Sequence, residues 1–200
     1  MSPSDKKSIR LSIRHQRETL GSREVLRCSK AVVRHICRTK VVRHARRIGV
    51  YYPFRNEIDL LLLLQQPVMQ GKTFYLPVIG SLRFEPLHFA PFHTKTRLIA
   101  NRFHIPEPDV AVGKMCRASR LDVLFVPLVA FDGCGHRLGF GAGFYDRTLG
   151  YLRRRRFWIK PRLFGVGFGF QQVDSIAADP WDINLPAVVT ESGVIQTGEA

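Results

Sequence analysis

LDVLFVPLVAFDGCGHRLGFGAGFYDR, residues 121–147, sets the frame for the whole chain. Its first part, 121–131, is almost unbroken apolar sequence rich in branched side chains, the pattern of a strand buried on both faces. A turn follows at Asp132-Gly133-Cys134-Gly135, and glycines then alternate at Gly139, Gly141 and Gly143. A backbone without Cβ atoms can approach a bulky anion closely and turn its N–H groups toward it. Residues 144–151 can open a helix, whose N-terminus favours negative charge. Arg137 and Arg147 flank the loop, and Asp146 stands at its exit. Strand, glycine loop, helix, cation and carboxylate together describe a nucleotide-phosphate site with a metal ligand. Taken alone, the loop is equally a structural tight turn, and Asp146 a carboxylate paired with Arg147. No Gly-Lys-Ser/Thr follows, so this is no Walker A loop. Phe144 stands where the last glycine of a dinucleotide fingerprint belongs.

Outward from this stretch the pattern alternates. Residues 4–20 read as a helix ended by Gly21. Lys6, Arg10, Arg14 and Arg17 fall along one of its faces, with Ile9, Ile13 and Leu20 toward another. Ser22 can cap a second helix over 23–40, with Val25, Cys28, Val32 and Ile36 as its buried stripe. A strand is expected at 47–54, a helix at 57–66 that Pro67 ends or bends, and strands at 72–78 and 84–89. Residues 90–115, rich in Pro, His and charge, read as loop with one short helix near 94–101. After the glycine loop come strands at 162–168 and, last, 187–190. The expected fold is therefore α/β: a single three-layer domain over residues 1–200 with a largely parallel central sheet flanked by helices.

Composition narrows the partners. Of 200 residues, 45% are hydrophobic, which is globular rather than disordered. The net charge of +15 calls for an acidic partner: nucleic acid, an anionic membrane surface or a polyanionic small molecule. No nucleic-acid-binding motif appears, and the phenylalanines do not interleave with the basic residues, so nucleic acid is disfavoured. The cysteines Cys28, Cys37, Cys116 and Cys134 form no C-x-x-C pair and no zinc spacing, and are expected as free thiols. The first residues are too charged for a secretory leader, no apolar run reaches membrane-span length, and a cytoplasmic location is expected.

Several separated segments resemble one family, the 5-formyltetrahydrofolate cyclo-ligases, also called methenyltetrahydrofolate synthetases. KKSIR at 6–10 is similar to its N-terminal Lys-x-x-x-Arg helix, and YYPFRNEID at 51–59 to its strand-to-folate segment. LPV at 76–78, PEP at 106–108, the glycine loop ending in Tyr-Asp-Arg, GVGFGFQQ at 165–172, Asp182 and VVTESG at 188–193 follow in the family's order. The match runs from Lys6 to Val194. Two positions depart from the family: Ala142 stands where Gly or Lys is frequent, and Trp181 where His is common.

The resemblance implies ATP- and Mg²⁺-dependent cyclisation of 5-formyltetrahydrofolate to 5,10-methenyltetrahydrofolate, with release of ADP and phosphate. It implies a monomer whose partners are ATP and the folate, with or without a polyglutamate tail. By position it assigns the nucleotide to Lys6, Lys7, Ser8, Ile9 and Arg10 and to Arg137, Leu138, Gly139, Phe140, Gly141, Ala142, Gly143, Phe144 and Tyr145. The folate falls to Tyr52 and Glu57, with Phe140, Gly141, Ala142, Gly143 and Phe144 close to both ligands. Arg137, Tyr145 and Asp146 are the expected catalytic residues, and Asp146 and Asp182 the magnesium ligands. On the residues alone, Lys6 and Arg10 are also a solvated basic face, Glu57 a first-turn helix carboxylate, Tyr145 a core tyrosine and Asp182 a cap. The Arg153–Arg156 run is a solvated loop or a site for a polyanionic tail.

Overall fold

A computed structural model describes residues 3–80, 85–155, 157 and 160–198. The chain opens with α1 (Pro3–Glu18), α2 (Ser22–Arg38) and the short α3 (Lys40–His44). Gly21, not Ser22, occupies the N-cap of α2, so Ser22 is the first helical residue. Strands β1 (Arg47–Gly49), β2 (Thr73–Val78) and β3 (His88–Phe92) follow. A small hairpin of β4 (Leu98–Ala100) and β5 (Pro106–Pro108) precedes β6 (Cys116–Arg117) and β7 (Val123–Pro127). Then come β8 (Ala130–Phe131), β9 (Arg137–Leu138), α4 (Phe144–Leu149), β10 (Arg162–Val166), β11 (Ala187–Thr190) and β12 (Gly193–Gln196).

Eight strands form one sheet in the order β12-β11-β10-β7-β1-β2-β3-β6. The interior run from β11 to β2 is parallel, and antiparallel strands finish both edges. The reason lies in β7 itself: Val123 and Phe125 enter the core beneath α2, while Leu124 and Val126 enter the core beneath α4. A strand with apolar side chains on both faces needs cover on both, and parallel crossovers supply it. Cys28, Val32, Val33 and Ile36 of α2 seal one face. Leu149 of α4 and the 3-10 turn behind it seal the other. The three-layer α/β expectation thus describes the molecule.

The local expectations differ in several places. The run 47–54 pairs only over Arg47–Gly49, and beyond it the chain leaves the sheet toward the cavity described below. The helix expected at 57–66 is a 3-10 turn, Leu60–Gln65, followed by a second one that Pro67 opens rather than ends. Leu60 and Leu63 are its buried residues, and a spacing of three is the 3-10 repeat. The helix expected near 94–101 is absent: Leu98–Ala100 is a strand, because Asn101 folds the chain back by accepting from the N–H groups of Phe103 and Ile105. Strand 187–190 is not the last, since the turn at Glu191-Ser192 returns the chain as β12. The strand expected at 84–89 is found at His88–Phe92, and Phe84 lies outside the described residues. The strand expected over 122–131 splits into β7 and β8.

That split positions the glycine loop. Buried Gln171 donates to the carbonyls of Leu128 and Val129 at 2.9 and 2.7 Å, fixing the bend between the two strands. Asp132, 2% exposed, accepts from the N–H groups of Cys134, His136 and Ile176 and from the ring of His136. The β8–β9 hairpin is thereby rigid, and the loop 139–143 leaves it in a fixed direction.

Candidate functional site

A cavity of about 570 Å³ opens where β1, β2 and β7 end, at Tyr51, Tyr52, Pro77, Ile79 and Pro127. The carboxyl ends of parallel strands are where open α/β sheets place their ligands. The glycine loop forms one wall, from Arg137 to Asp146. Gly141 has φ +101° and Gly143 φ +64°, conformations that side chains resist. Arg137 lies beneath the loop, its guanidinium donating to the Ile183 carbonyl and to Asp146 Oδ1. Asp146 therefore pairs with Arg137 and not with Arg147. Arg147 lies over the Phe144 ring and donates to the Ala142 carbonyl at 2.8 Å.

Helix α1 borders the same wall. Arg10 Nε donates to the Gly139 carbonyl at 2.8 Å, and Lys6 pairs with Asp179 at 2.8 Å. Both line the cavity. Lys7 and Ser8 are exposed and point elsewhere, and Ile9 packs on the small core around Ile13 and Val129. The basic stripe read along α1 divides. Arg14 stays at the surface with Glu18, whereas Arg17 is 2% exposed, fully inside the protein.

Opposite the loop, the chain after β1 makes an unusual turn. Arg55 and Asn56 both have positive φ, 50° and 56°, although neither is glycine. Asn56 stabilises the turn by donating to the carbonyls of Arg17 and Leu20 at the end of α1. Strain of this kind persists where surrounding structure over-determines it, and commonly at sites. The turn delivers Glu57 to the cavity wall, 7% exposed. Its Oε2 accepts from the Phe54 N–H at 3.1 Å. Its Oε1 lies 3.5 Å from Arg17 Nη1 but has no hydrogen-bond partner. Burial raises the Glu57 carboxyl to about 7, against the downward pull of Arg17 and the Phe54 N–H. Tyr145 approaches from the loop side with a buried, unpartnered hydroxyl whose pKa burial raises well above its usual value. A buried acceptor and a buried hydroxyl left unsatisfied are costly unless a ligand completes them.

The remaining expected residues are close by. Tyr52 lines the cavity, as do Asp179, Trp181 and Asp182. Asp182 accepts the Asp179 N–H at 2.9 Å, so it does cap its own turn while bordering the cavity. Arg153 donates to the Pro180 carbonyl and Arg155 lies over Tyr151, while Arg156 lies outside the described residues. Several lining residues escaped the sequence reading, Glu107 and Phe103 among them. Glu107, from the PEP segment, is 7% exposed and accepts from the Ile79 N–H and from Asn101. Phe103 meets Phe144 edge to face, with ring centroids 5.9 Å apart. Arg17 belongs with them, behind the wall. The burial of a charge can be foreseen only by knowing what packs over it.

Among the described residues no group of three or more His, Cys, Asp or Glu could hold a metal unaided. Asp146 and Asp182 bring two hard carboxylates to one cavity, which suits Mg²⁺ completed by phosphate oxygens and water. The charge balance argues the same way. Lys6, Arg10, Arg55 and Arg137 share the lining with Glu57, Glu107, Asp146, Asp179 and Asp182. Such a lining does not by itself offset a triphosphate. All four cysteines are free thiols.

Fold and cavity together define an α/β domain whose parallel strands end at a cavity lined by a glycine loop and by Glu57. Residues 2–191 match the model of the 5-formyltetrahydrofolate cyclo-ligase family. The 5-formyltetrahydrofolate cyclo-ligase of Escherichia coli K12 is 41% identical over 150 residues, covering 75% of this chain and 80% of its own. That of Haemophilus influenzae is 35% identical over 185 residues, covering 92% and 97%. The NMR structure of Aquifex aeolicus 5,10-methenyltetrahydrofolate synthetase superposes with a TM-score of 0.80 at 29% identity, covering 98% of this chain and 94% of that one. The chain belongs to the 5-formyltetrahydrofolate cyclo-ligase family, and it is an enzyme.

Proposed function

We propose that the protein uses ATP and Mg²⁺ to close 5-formyltetrahydrofolate into 5,10-methenyltetrahydrofolate. The observation that carries the reading is one cavity with two unlike walls. The glycine loop with Arg10 and Lys6 suits a triphosphate, and Glu57 with Tyr145 suits the donor and acceptor edge of a pterin.

The chemistry explains why both must be held together. The N5 formyl group is an amide, with a poorly electrophilic carbon and an oxygen that leaves badly. Transfer of the γ-phosphoryl group to that oxygen releases ADP and makes the carbon iminium-like. N10 attacks it, closing a five-membered ring with the advantage of an intramolecular step. N10 gives up its proton, and phosphate departs with the former formyl oxygen.

The residues divide the work. Loop amides 139–143 with Arg10 and Lys6 bind phosphate, Lys6 exchanging Asp179 for it. Arg137 fixes Asp146 and adds positive charge beneath the loop. Tyr145 places its hydroxyl at the reacting end, and Tyr52, Phe140 and Phe144 pack the folate. Asp146 and Asp182 would hold Mg²⁺, which supplies charge neutralisation to the triphosphate. The test follows methenyl-folate absorbance with 5-formyltetrahydrofolate, ATP and Mg²⁺. Absorbance growing with matched ADP release is expected, with none when ATP or Mg²⁺ is left out. A folded protein without turnover under the full mixture overturns the proposal.

A further inference from the structure

The stripe of cations on α1 ends in a residue that the reaction above does not use. Arg10 and Arg17 are seven residues apart, two helical turns, and so share a face. Arg10 meets the glycine loop through the Gly139 carbonyl. Arg17 reaches the same loop from behind, its guanidinium 5.5 Å from the Phe140 ring centroid. On its other side Nη1 stands 3.5 Å from Glu57 Oε1, and its backbone carbonyl accepts from Asn56, next to Glu57 in the strained turn. Arg17 does not line the cavity, its Nε has no hydrogen-bond partner, and it is 2% exposed. A cation buried this deeply is rare unless paired, and Glu57 is its pair.

We infer that Arg17 is a positioning residue that acts through Glu57, favouring its ionised form and aiming it at the folate while bracing Phe140 of the nucleotide loop. The inference rests on the assignment of Glu57 to the folate. The groups facing Glu57 are few. Arg17 comes from α1, Tyr51 from the segment after β1 and Tyr145 from α4, while Arg55 acts on Arg17. Tyr51 is committed to the Ile58 carbonyl at 3.0 Å, and both tyrosines are neutral. Arg55 stacks on Phe54, with its charge centre 5.1 Å from the ring centroid. Arg17 is therefore the cation that opposes the desolvation of Glu57. Removing its charge makes Glu57 take up a proton at higher pH, and a protonated Glu57 is a poorer acceptor for the pterin amino group.

The test measures kcat and the KM for 5-formyltetrahydrofolate against pH in wild type, Arg17→Met, Arg17→Gln, Arg17→Lys, Glu57→Gln and the Arg17→Gln/Glu57→Gln double variant. In wild type the folate KM rises on the acid side. In Arg17→Met and Arg17→Gln that rise moves to higher pH by about one unit, so that KM near neutrality increases about fivefold. Arg17→Lys returns the limb toward its wild-type position. In the Glu57→Gln background the Arg17 substitution adds nothing to folate KM. Arg17→Gln keeps a hydrogen-bond donor and serves if Arg17→Met does not fold. An unmoved acid limb in Arg17→Gln, with Glu57→Gln still raising KM, overturns the role of Arg17 and leaves that of Glu57 standing. The same holds if Arg17→Gln lowers kcat and thermal stability equally in both backgrounds. An unchanged folate KM in Glu57→Gln removes the folate assignment itself and this inference with it.

Discussion

Glu57 shows what the site costs the fold. Its carboxyl titrates near 7 in the folded protein against an ordinary value of 4.5, with burial as the main cause. A carboxyl raised on folding binds more protons in the native state across that window. Its contribution to stability is therefore retained below pH 4.5 and lost as pH climbs through 7. Glu57→Gln removes the group from this linkage. Urea unfolding at pH 8 is expected to find the variant more stable than wild type by roughly 1–3 kcal/mol, the gap closing toward pH 5. A gap that does not change with pH would mean the carboxyl is not proton-linked to folding. Asp146 makes the opposite case. Asp146→Asn keeps an oxygen for Arg137, and the carboxylate is a quarter exposed, so the stability loss is expected to stay near or below about 1 kcal/mol. Turnover should fall by roughly 100-fold or more, and the Mg²⁺ concentration for half-maximal rate should rise. Wild-type turnover and an unshifted Mg²⁺ titration would reject Asp146 as a metal ligand. What the sequence showed of these residues depended on their neighbours in the chain. Asp146 sits in a local motif and was readable. Arg17 and Glu107 are defined by what closes over them from distant segments, and nothing in their immediate sequence distinguishes them from surface charges.

At the scale of elements, sequence pattern succeeded where one requirement dominated. β7 and β10 needed cover on both faces and read as strands. α2 carried its apolar stripe and read as a helix. Leu60–Gln65 failed because five consecutive leucines satisfy several periods, and the packing of Leu60 and Leu63 selected the 3-10 one. Leu98–Ala100 failed because its partner strand contains two prolines, a poor strand signal that edge pairing tolerates. The glycine loop was read correctly as an element, yet its glycines are not equivalent. Gly141 has φ +101°, so any side chain is strained there whatever the space around it. Gly139 has an ordinary φ, and a Cβ there would meet nothing within 4 Å. Gly141→Ala is expected to cost about 1–2 kcal/mol by thermal unfolding. Gly139→Ala should leave stability within about 0.5 kcal/mol of wild type. If phosphate is cradled by this loop, Gly139→Ala must nonetheless raise the KM for ATP, because the added methyl group occupies space that only a ligand contests. Unchanged ATP kinetics in Gly139→Ala would move the triphosphate away from this part of the loop.

For the whole molecule the open question is the charge of +15. It does not concentrate in the cavity, where the lining holds at least as many carboxylates as cations. The excess is spread over other surfaces, including Lys30, Arg34, Arg38 and Arg43 around a shallow groove under α2. A field of that origin acts at long range on approach, and in the proposed reaction the local work of holding phosphates would fall to the loop, Arg10, Lys6 and Mg²⁺. Both substrates in the proposed reaction are anions, so the field would draw them in before any cation touches them. Raising ionic strength from about 0.02 to about 0.2 M shortens the screening length from roughly 20 to roughly 7 Å. The KM values for ATP and 5-formyltetrahydrofolate should then rise several-fold, while kcat at saturating substrate and fixed free Mg²⁺ stays within about twofold. The separation follows from the geometry: once bound, the reacting groups sit in a partly enclosed site where screening by salt is weak. A kcat that falls in step with kcat/KM would place the salt-sensitive contacts at the chemistry itself. KM values indifferent to salt would leave the basic surface without a part in substrate capture.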